Sequence, residues 1–316
     1  MNTALRITAF TTGLAAAFGL ALGVGHATGT GTGKPGPAAA HAAHAAHTEP
    51  GPAGEAAADR LPGGLQVSER GYTLSLDQPF VTAGSPTDLR FRILGTDGKP
   101  VTAYQQQHEK ELHLIVAPRD LSTFQHLHPV LAADGTWSAP TAVPAAGEYR
   151  VFADFTPAGA SEGLTLGADL HAAGDLRPAP LPDTGRTATV DGYTVTLGGD
   201  LTPGRSSHLT LDVSKDGAPV TDLQPYLGAY GHLVALRAGD LAYLHVHPDT
   251  TTPGPGIGFT TTAPSGGSYR LFLDFRHQGT VRTAAFTVTA DGSAAPAPTA
   301  TTATTATQEP AADHQH

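Results

Sequence analysis

The chain of 316 residues contains no cysteine, so it can form neither a disulfide framework nor a thiolate metal site, and blue-copper chemistry is excluded with them. Met1 is the only methionine, which removes thioether ligation as well. Cations are sparse: 18 Lys and Arg stand against 28 Asp and Glu, for a formal charge of −10. No basic cluster is available to neutralise phosphates, so a nucleic-acid partner is not expected. Aromatics make up 6% of the chain, and no apolar run long enough to span a membrane follows the amino-terminal one.

What is present is glycine, proline, and 16 histidines. Residues 1–27 read as a secretory signal. Arg6 supplies the positive start, Ala9 to Val24 is uncharged and apolar, and Gly25 and Ala27 offer a small-residue cleavage site. An uncleaved membrane anchor is the alternative. Residues 28–64 are rich in Gly, Pro and Ala, with His41, His44 and His47 spaced by three. Such a stretch cannot bury enough apolar surface to offset its ordering entropy and is expected to be disordered, as a linker or a weak metal scavenger.

Residues 65–172 alternate with the period of strands: Tyr72 to Leu76, Leu89-Phe91-Ile93, Leu112 to Val116 and Tyr149 to Phe155, with turn signals such as Asp97-Gly98 and Asp134-Gly135 between them. Residues 191–290 repeat the pattern, with Tyr193 to Leu197, Leu209-Leu211-Val213 and Tyr269 to Phe275. The expected fold is all-β: two tandem Ig-like antiparallel β-sandwiches, each closing its own core, with disordered segments at both ends. Residues 173–190 form a Pro-rich linker containing Leu181-Pro182-Asp183-Thr184-Gly185, a string resembling a cell-wall sorting signal. Its position ahead of a second domain fits a semi-rigid spacer better. Residues 291–316 form an Ala/Thr/Pro tail that ends in His314 and His316.

The repeat extends to the histidines. His113, His126 and His128 in HLIVAPRDLSTFQHLHP recur at the same spacing as His232, His245 and His247 in HLVALRAGDLAYLHVHP. In a strand, residues two apart share a face at about 6.6 Å, which lets two imidazoles converge on one ion. The six are therefore candidate metal ligands, although duplicated histidines can also serve duplicated cores. Leu112, Leu114 and Val116 on one face of its strand and Ile115 and Ala117 on the other leave the direction of His113 open. Asp154 and Asp274 fall on outward positions of matching strands, where each could hold a ligating imidazole. His108, His171, His208 and His277 lack a counterpart and read as surface or incidental residues.

These phrases, with Tyr-Arg-Val-Phe-Ala-Asp-Phe, resemble those of uncharacterised extracytoplasmic proteins of high-GC Gram-positive bacteria. Related phrases occur in heavy-metal-binding envelope proteins. More loosely, a secreted, His-bearing, Cys-free β-sandwich is similar to periplasmic copper-resistance carriers, without their methionine-rich site. The first group has no settled activity to carry over, so the expectation rests on the histidine pattern: a secreted or envelope-associated protein binding copper(II) or zinc(II) in each repeat, with release below pH ~6 as protons compete for imidazole. Two other readings stay open: an Ig-like interaction module with structural histidines, and a zinc hydrolase or hydratase. No carboxylate accompanies the histidines in both repeats as a general base, so an enzyme is not expected.

Overall fold

The structure, a computed structural model, describes residues 61–244, 246–249 and 252–291. The signal at 1–27, the histidines at 41, 44, 47, 314 and 316, and His245 lie outside the described residues. Among those described, regular structure is all strand.

The first repeat contains β1 (Ser68–Glu69), β2 (Tyr72–Leu76), β3 (Phe80–Thr82), β4 (Thr87–Leu94), β5 (Tyr104–Gln105), β6 (Leu112–Pro118), β7 (Gln125–Leu127), β8 (Val130–Leu131), β9 (Trp137–Thr141), β10 (Gly147–Pro157) and β11 (Leu164–Ala173). One sheet has the order β1-β2-β4-β9-β8 and the other β3-β11-β10-β6-β7, with β5 on β10. The second repeat contains β12 (Thr187–Val190), β13 (Tyr193–Gly198), β14 (Ser206–Lys215), β15 (Ala218–Pro219), β16 (Gly231–Arg237), β17 (Tyr243–Leu244), β18 (Val246–Pro248), β19 (Gly256–Thr262), β20 (Gly267–His277) and β21 (Thr280–Ala290). Its sheets run β12-β13-β14-β19-β18, with β15 on β14, and β17-β16-β20-β21.

In each repeat this strand order sets an ABED sheet against a GFC sheet that carries an extra strand beside C, which is the immunoglobulin arrangement. The parallel pairing of β3 with β11 and a tyrosine corner agree with it. Tyr149 and Tyr269, near the start of the F-type strands β10 and β20, each donate a hydrogen bond to the carbonyl four residues upstream, at Ala145 (2.9 Å) and Ser265 (2.8 Å). The two repeats are therefore tandem Ig-like β-sandwiches. The first strand of the second repeat starts at Thr187, within the residues 173–190 expected as linker, and Gly64, at the end of the 28–64 segment, donates its amide to Thr165 O at 2.8 Å.

Each sandwich closes its own core, around Phe91, Trp137 and Phe155 in the first and Tyr193, Phe259 and Phe275 in the second. A third core joins them. Ile115 and Ala117 on β6 and Phe152 on β10 pack with Val234 and Leu236 on β16 and Phe272 on β20. This explains why β6 is apolar on both faces: Leu112, Leu114 and Val116 face its own sandwich, while Ile115 and Ala117 face the other repeat. Phe124 stacks on Phe272 with ring centroids 4.4 Å apart and planes within 8°. The histidines sit at the edge of this shared layer.

Candidate metal centre

Residues paired across neighbouring strands share a face, so the register of β6 against β7 decides where the imidazoles go. Ile115 faces His126 and Leu114 faces Leu127. Carried one step further, this register brings His128 opposite His113, with His126 on the diagonal. All three therefore stand on the outer face of the sheet, towards the second repeat. One nitrogen from each lies within 4.8 Å of the others, and this is the one such trio among the described residues. The ring centroids are 5.2 Å (His113–His126), 5.3 Å (His113–His128) and 4.7 Å (His126–His128) apart. Imidazoles on a tetrahedral ion, with metal–nitrogen bonds of 2.0–2.1 Å, have centroids about 5.2 Å apart.

The hydrogen bonds determine which nitrogen each ring offers. His113 Nε2–H donates to the Gln107 carbonyl at 3.0 Å, which turns the Nδ1 lone pair inward. His126 Nδ1–H donates to Asp274 Oδ2 at 3.0 Å, which leaves Nε2 as the lone-pair atom. These two lone-pair nitrogens, His113 Nδ1 and His126 Nε2, are 3.0 Å apart. Two lone pairs at that distance repel unless a proton or a cation lies between them. His128 Nε2 is buried beside them with no hydrogen-bond partner.

The second repeat supplies much of the surroundings. Asp274, on β20, holds His126 across the interface while accepting a second hydrogen bond from Thr283 Oγ1 at 2.6 Å. His232 Nε2–H donates to the Tyr226 carbonyl at 2.7 Å, repeating the His113–Gln107 bond at the same six-residue separation. Its ring lies 6.1 Å from that of His126 and 6.3 Å from that of His113. Burial, with neighbouring imidazole charge adding to it, lowers His113 and His232 to about 4 and His128 to about 3, so these rings are neutral at pH 7.

His247 does not take the place that His128 has. Instead of following β17 along β16, β18 crosses to the opposite sheet, where His247 faces Thr260 on β19 and is exposed. Asp154 is placed as Asp274 is, opposite the histidine of the central strand. It is hydrogen-bonded to the Tyr243 hydroxyl of the other repeat and to Thr165 Oγ1 at 3.1 Å. Burial and this carboxylate push the Tyr243 phenol well above its ordinary value.

Two of the unmatched histidines do more than sit at the surface, His108 although exposed and His277 as a buried residue. His108 has its ring 5.1 Å from that of His232 and 6.1 Å from that of His113, and with these two and His126 it lines a cavity of about 50 Å³. It was missed because its counterpart is Leu227, so the repeat gave no signal. Both occupy the first φ-positive position (48° and 54°) of a matching two-residue turn. His277 is buried, accepting from the Tyr193 hydroxyl at 2.7 Å and donating to Asp222 at 3.1 Å, a structural network far along the sheet. His171 and His208 do lie towards the surface, against Glu148 and Asp249.

Strand order and shared face define a tandem Ig-like protein with an imidazole cluster where its two sandwiches meet. The chain belongs to the family described as Domain of unknown function (DUF8832), whose model matches residues 66–169 and again 188–292. No curated protein matches it. Among solved structures it is similar to FdeC, an Escherichia coli adhesin, at 19% identity over 71% of this chain and 65% of that one, with a TM-score of 0.23. It is similar to invasin, a bacterial integrin-binding protein, at 16% identity over 68% of this chain and 38% of that one (TM-score 0.22), and to domains 5–6 of the S-layer protein SbsC at 11% over 69% and 97% (TM-score 0.20). The chain spans less than two thirds of the length of the first two.

Proposed function

We propose that the protein binds one divalent transition-metal ion, Cu(II) or Zn(II), through His113 Nδ1, His126 Nε2 and His128 Nε2. The observation that carries this reading is the 3.0 Å approach of two lone-pair nitrogens beside a third buried nitrogen with no partner. A shared proton would satisfy the first pair and leave His128 unanswered, whereas a cation answers all three. An all-imidazole donor set suits Cu(II) and Zn(II), and the order of intrinsic affinities favours copper.

The site is read as one for holding an ion. A cavity of about 50 Å³ lined by His113 and His126 adjoins the trio and has room for water beside an ion, since one water needs about 10–15 Å³ of such space. The amino-terminal signal pattern supports a role outside the cytoplasm, in metal sequestration or homeostasis at the cell envelope.

A second reading makes the chain an Ig-like surface module whose histidines are structural. It is favoured by the Gln107–His113–His126–Asp274 chain, which, with one extra proton shared between His113 Nδ1 and His126 Nε2, would hold the two repeats together with no ion. The two readings separate in one measurement, calorimetric titration of untagged full-length protein with Zn(II) and Cu(II) at pH 7.5. One tight equivalent that disappears in His126→Ala/His128→Ala supports the metal reading. A folded protein with no tight equivalent leaves the structural one.

A further inference from the structure

The ligands His113, His126 and His128 all come from the first repeat, but the group that orients His126 does not. Asp274 reaches it from β20 of the second repeat, and both side chains are almost fully buried, at 5% and 6% exposure. Opposite Asp274 on the neighbouring strand is His232, itself held by the Tyr226 carbonyl. Nothing within the first repeat takes the place of Asp274: the equivalent Asp154 faces His113 along the strand pair and is engaged by Tyr243.

We propose that the metal centre belongs to both repeats, with Asp274 as its positioning residue, so that ion binding and docking of the two sandwiches are one linked equilibrium. The inference rests on the metal reading above. A carboxylate on the distal N–H of a ligating imidazole fixes the tautomer and the ring orientation and raises ligand basicity. If the repeats separate, His126 loses its acceptor and the ion loses a preoriented ligand. By linkage, an ion on the first repeat then strengthens the hold of the second.

The test uses full-length protein, Asp274→Ala and Asp274→Asn, titrated with Zn(II) at pH 7.5, together with hydrogen-exchange mass spectrometry with and without zinc. Zinc affinity is expected to fall ~10–100-fold in Asp274→Ala, the usual cost of losing such a partner. The Asn variant, which keeps an acceptor at the same place, is expected to retain part of the affinity and to keep the fold. In wild type, zinc should slow exchange in β20 and β21, which carry none of the three ligands, and in Asp274→Ala this protection should vanish while that of β6 and β7 remains. Unchanged affinity in both variants, or zinc protection confined to the first repeat in wild type, overturns the shared-site inference and leaves the metal reading standing. Wild type that binds no zinc overturns both. The Co(II) visible spectrum adds a readout that loss of packing alone would not produce, since a misoriented His126 changes the ligand field at full occupancy.

Discussion

His126 and Asp274 are 148 positions apart in sequence and 3.0 Å apart in space, and their contact crosses from one sandwich to the other. Its counterpart in the other half of the duplication joins Asp154 to Tyr243. The duplication thus exchanges aspartates between repeats, and the two halves use them differently. In one, the carboxylate orients an imidazole. In the other, it accepts from a phenol where the first repeat has Phe124, which stacks on Phe272 instead. A metal centre built from this frame need not be symmetric.

The first prediction is therefore one tight ion per chain. His128→Ala removes a ligand and is expected to abolish the tight equivalent. His247→Ala removes an exposed side chain on β18 and is expected to leave it within about twofold. Two equal tight sites in the calorimetric titration would sink the asymmetric reading.

The second prediction concerns pH. His113 and His232 are lowered to about 4 in the fold, whereas an unfolded histidine titrates near ~6.5. Between these values the unfolded chain takes up protons that the folded chain refuses, so stability falls as pH drops. The contribution is complete above pH ~6.5 and exhausted below pH ~4. Each group has a limiting slope of about 1.4 kcal/mol per pH unit, so the pair gives at most ~2.7. Urea midpoints of metal-free protein should fall steadily from pH 6.5 to 4.5. His113→Gln should flatten that slope. The same burial keeps protons off His113 and His128, so zinc should stay bound at pH 6 and leave nearer pH ~5, lower than ordinary histidines would allow.

The duplication, the strand periods and the turn chemistry made the two sandwiches legible, because each repeat closes a core from residues that alternate along its own strands. The trio was legible too, since the spacing that sets His128 opposite His113 is written into one hairpin. The shared face was not. Ile115, Ala117 and Phe152 look like any apolar outward residues until Val234, Leu236 and Phe272 are seen against them. The same layer decides the direction of His113, which its strand alone left open. Repetition also misled: equal spacing implied equal sites, but β18 leaves β16 and carries His247 away, while His108, unmatched by any repeat position, stands next to His232.

Phe272 tests the shared layer. It is 3% exposed, stacks on Phe124, and belongs to the joint core and to neither sandwich interior. Truncating a buried phenylalanine costs about 3–5 kcal/mol, and here the loss should fall on both repeats. Phe272→Ala is expected to lower the urea midpoint reported by Trp137, the only tryptophan, which lies in the other repeat. A Trp137 transition that stays at the wild-type midpoint would show that the sandwiches are energetically independent.

Gly167 governs how the chain enters the first repeat. It lies on β11 opposite Phe152. Its amide donates to Gln66 O at 2.8 Å, so the entering segment runs directly over it. A β-carbon there would stand 2.0 Å from Gly64 O and 2.6 Å from Arg150 Nε. The first of these is backbone and cannot swing aside. Arg150 is itself fixed, donating to Gly64 O at 2.9 and 3.1 Å, to Leu65 O at 2.9 Å and to Asp169 Oδ1 at 2.7 Å. Gly63 O, one residue earlier, accepts from the Tyr243 amide at 2.9 Å, so the same segment also ties the two repeats. Gly167→Ala must lift residues 64–66 off the sheet and leave the Arg150 guanidinium short of acceptors, which removes several charge-assisted hydrogen bonds at about 1.5–3 kcal/mol each before relaxation. The expected net loss is roughly 2–3 kcal/mol, with faster proteolysis at residues 61–66. Gly198→Ala, where the nearest atom to the added carbon is 3.7 Å away, is the control and should stay within about 0.5 kcal/mol. Equal midpoints for the two variants would show that this close approach contributes nothing to the fold.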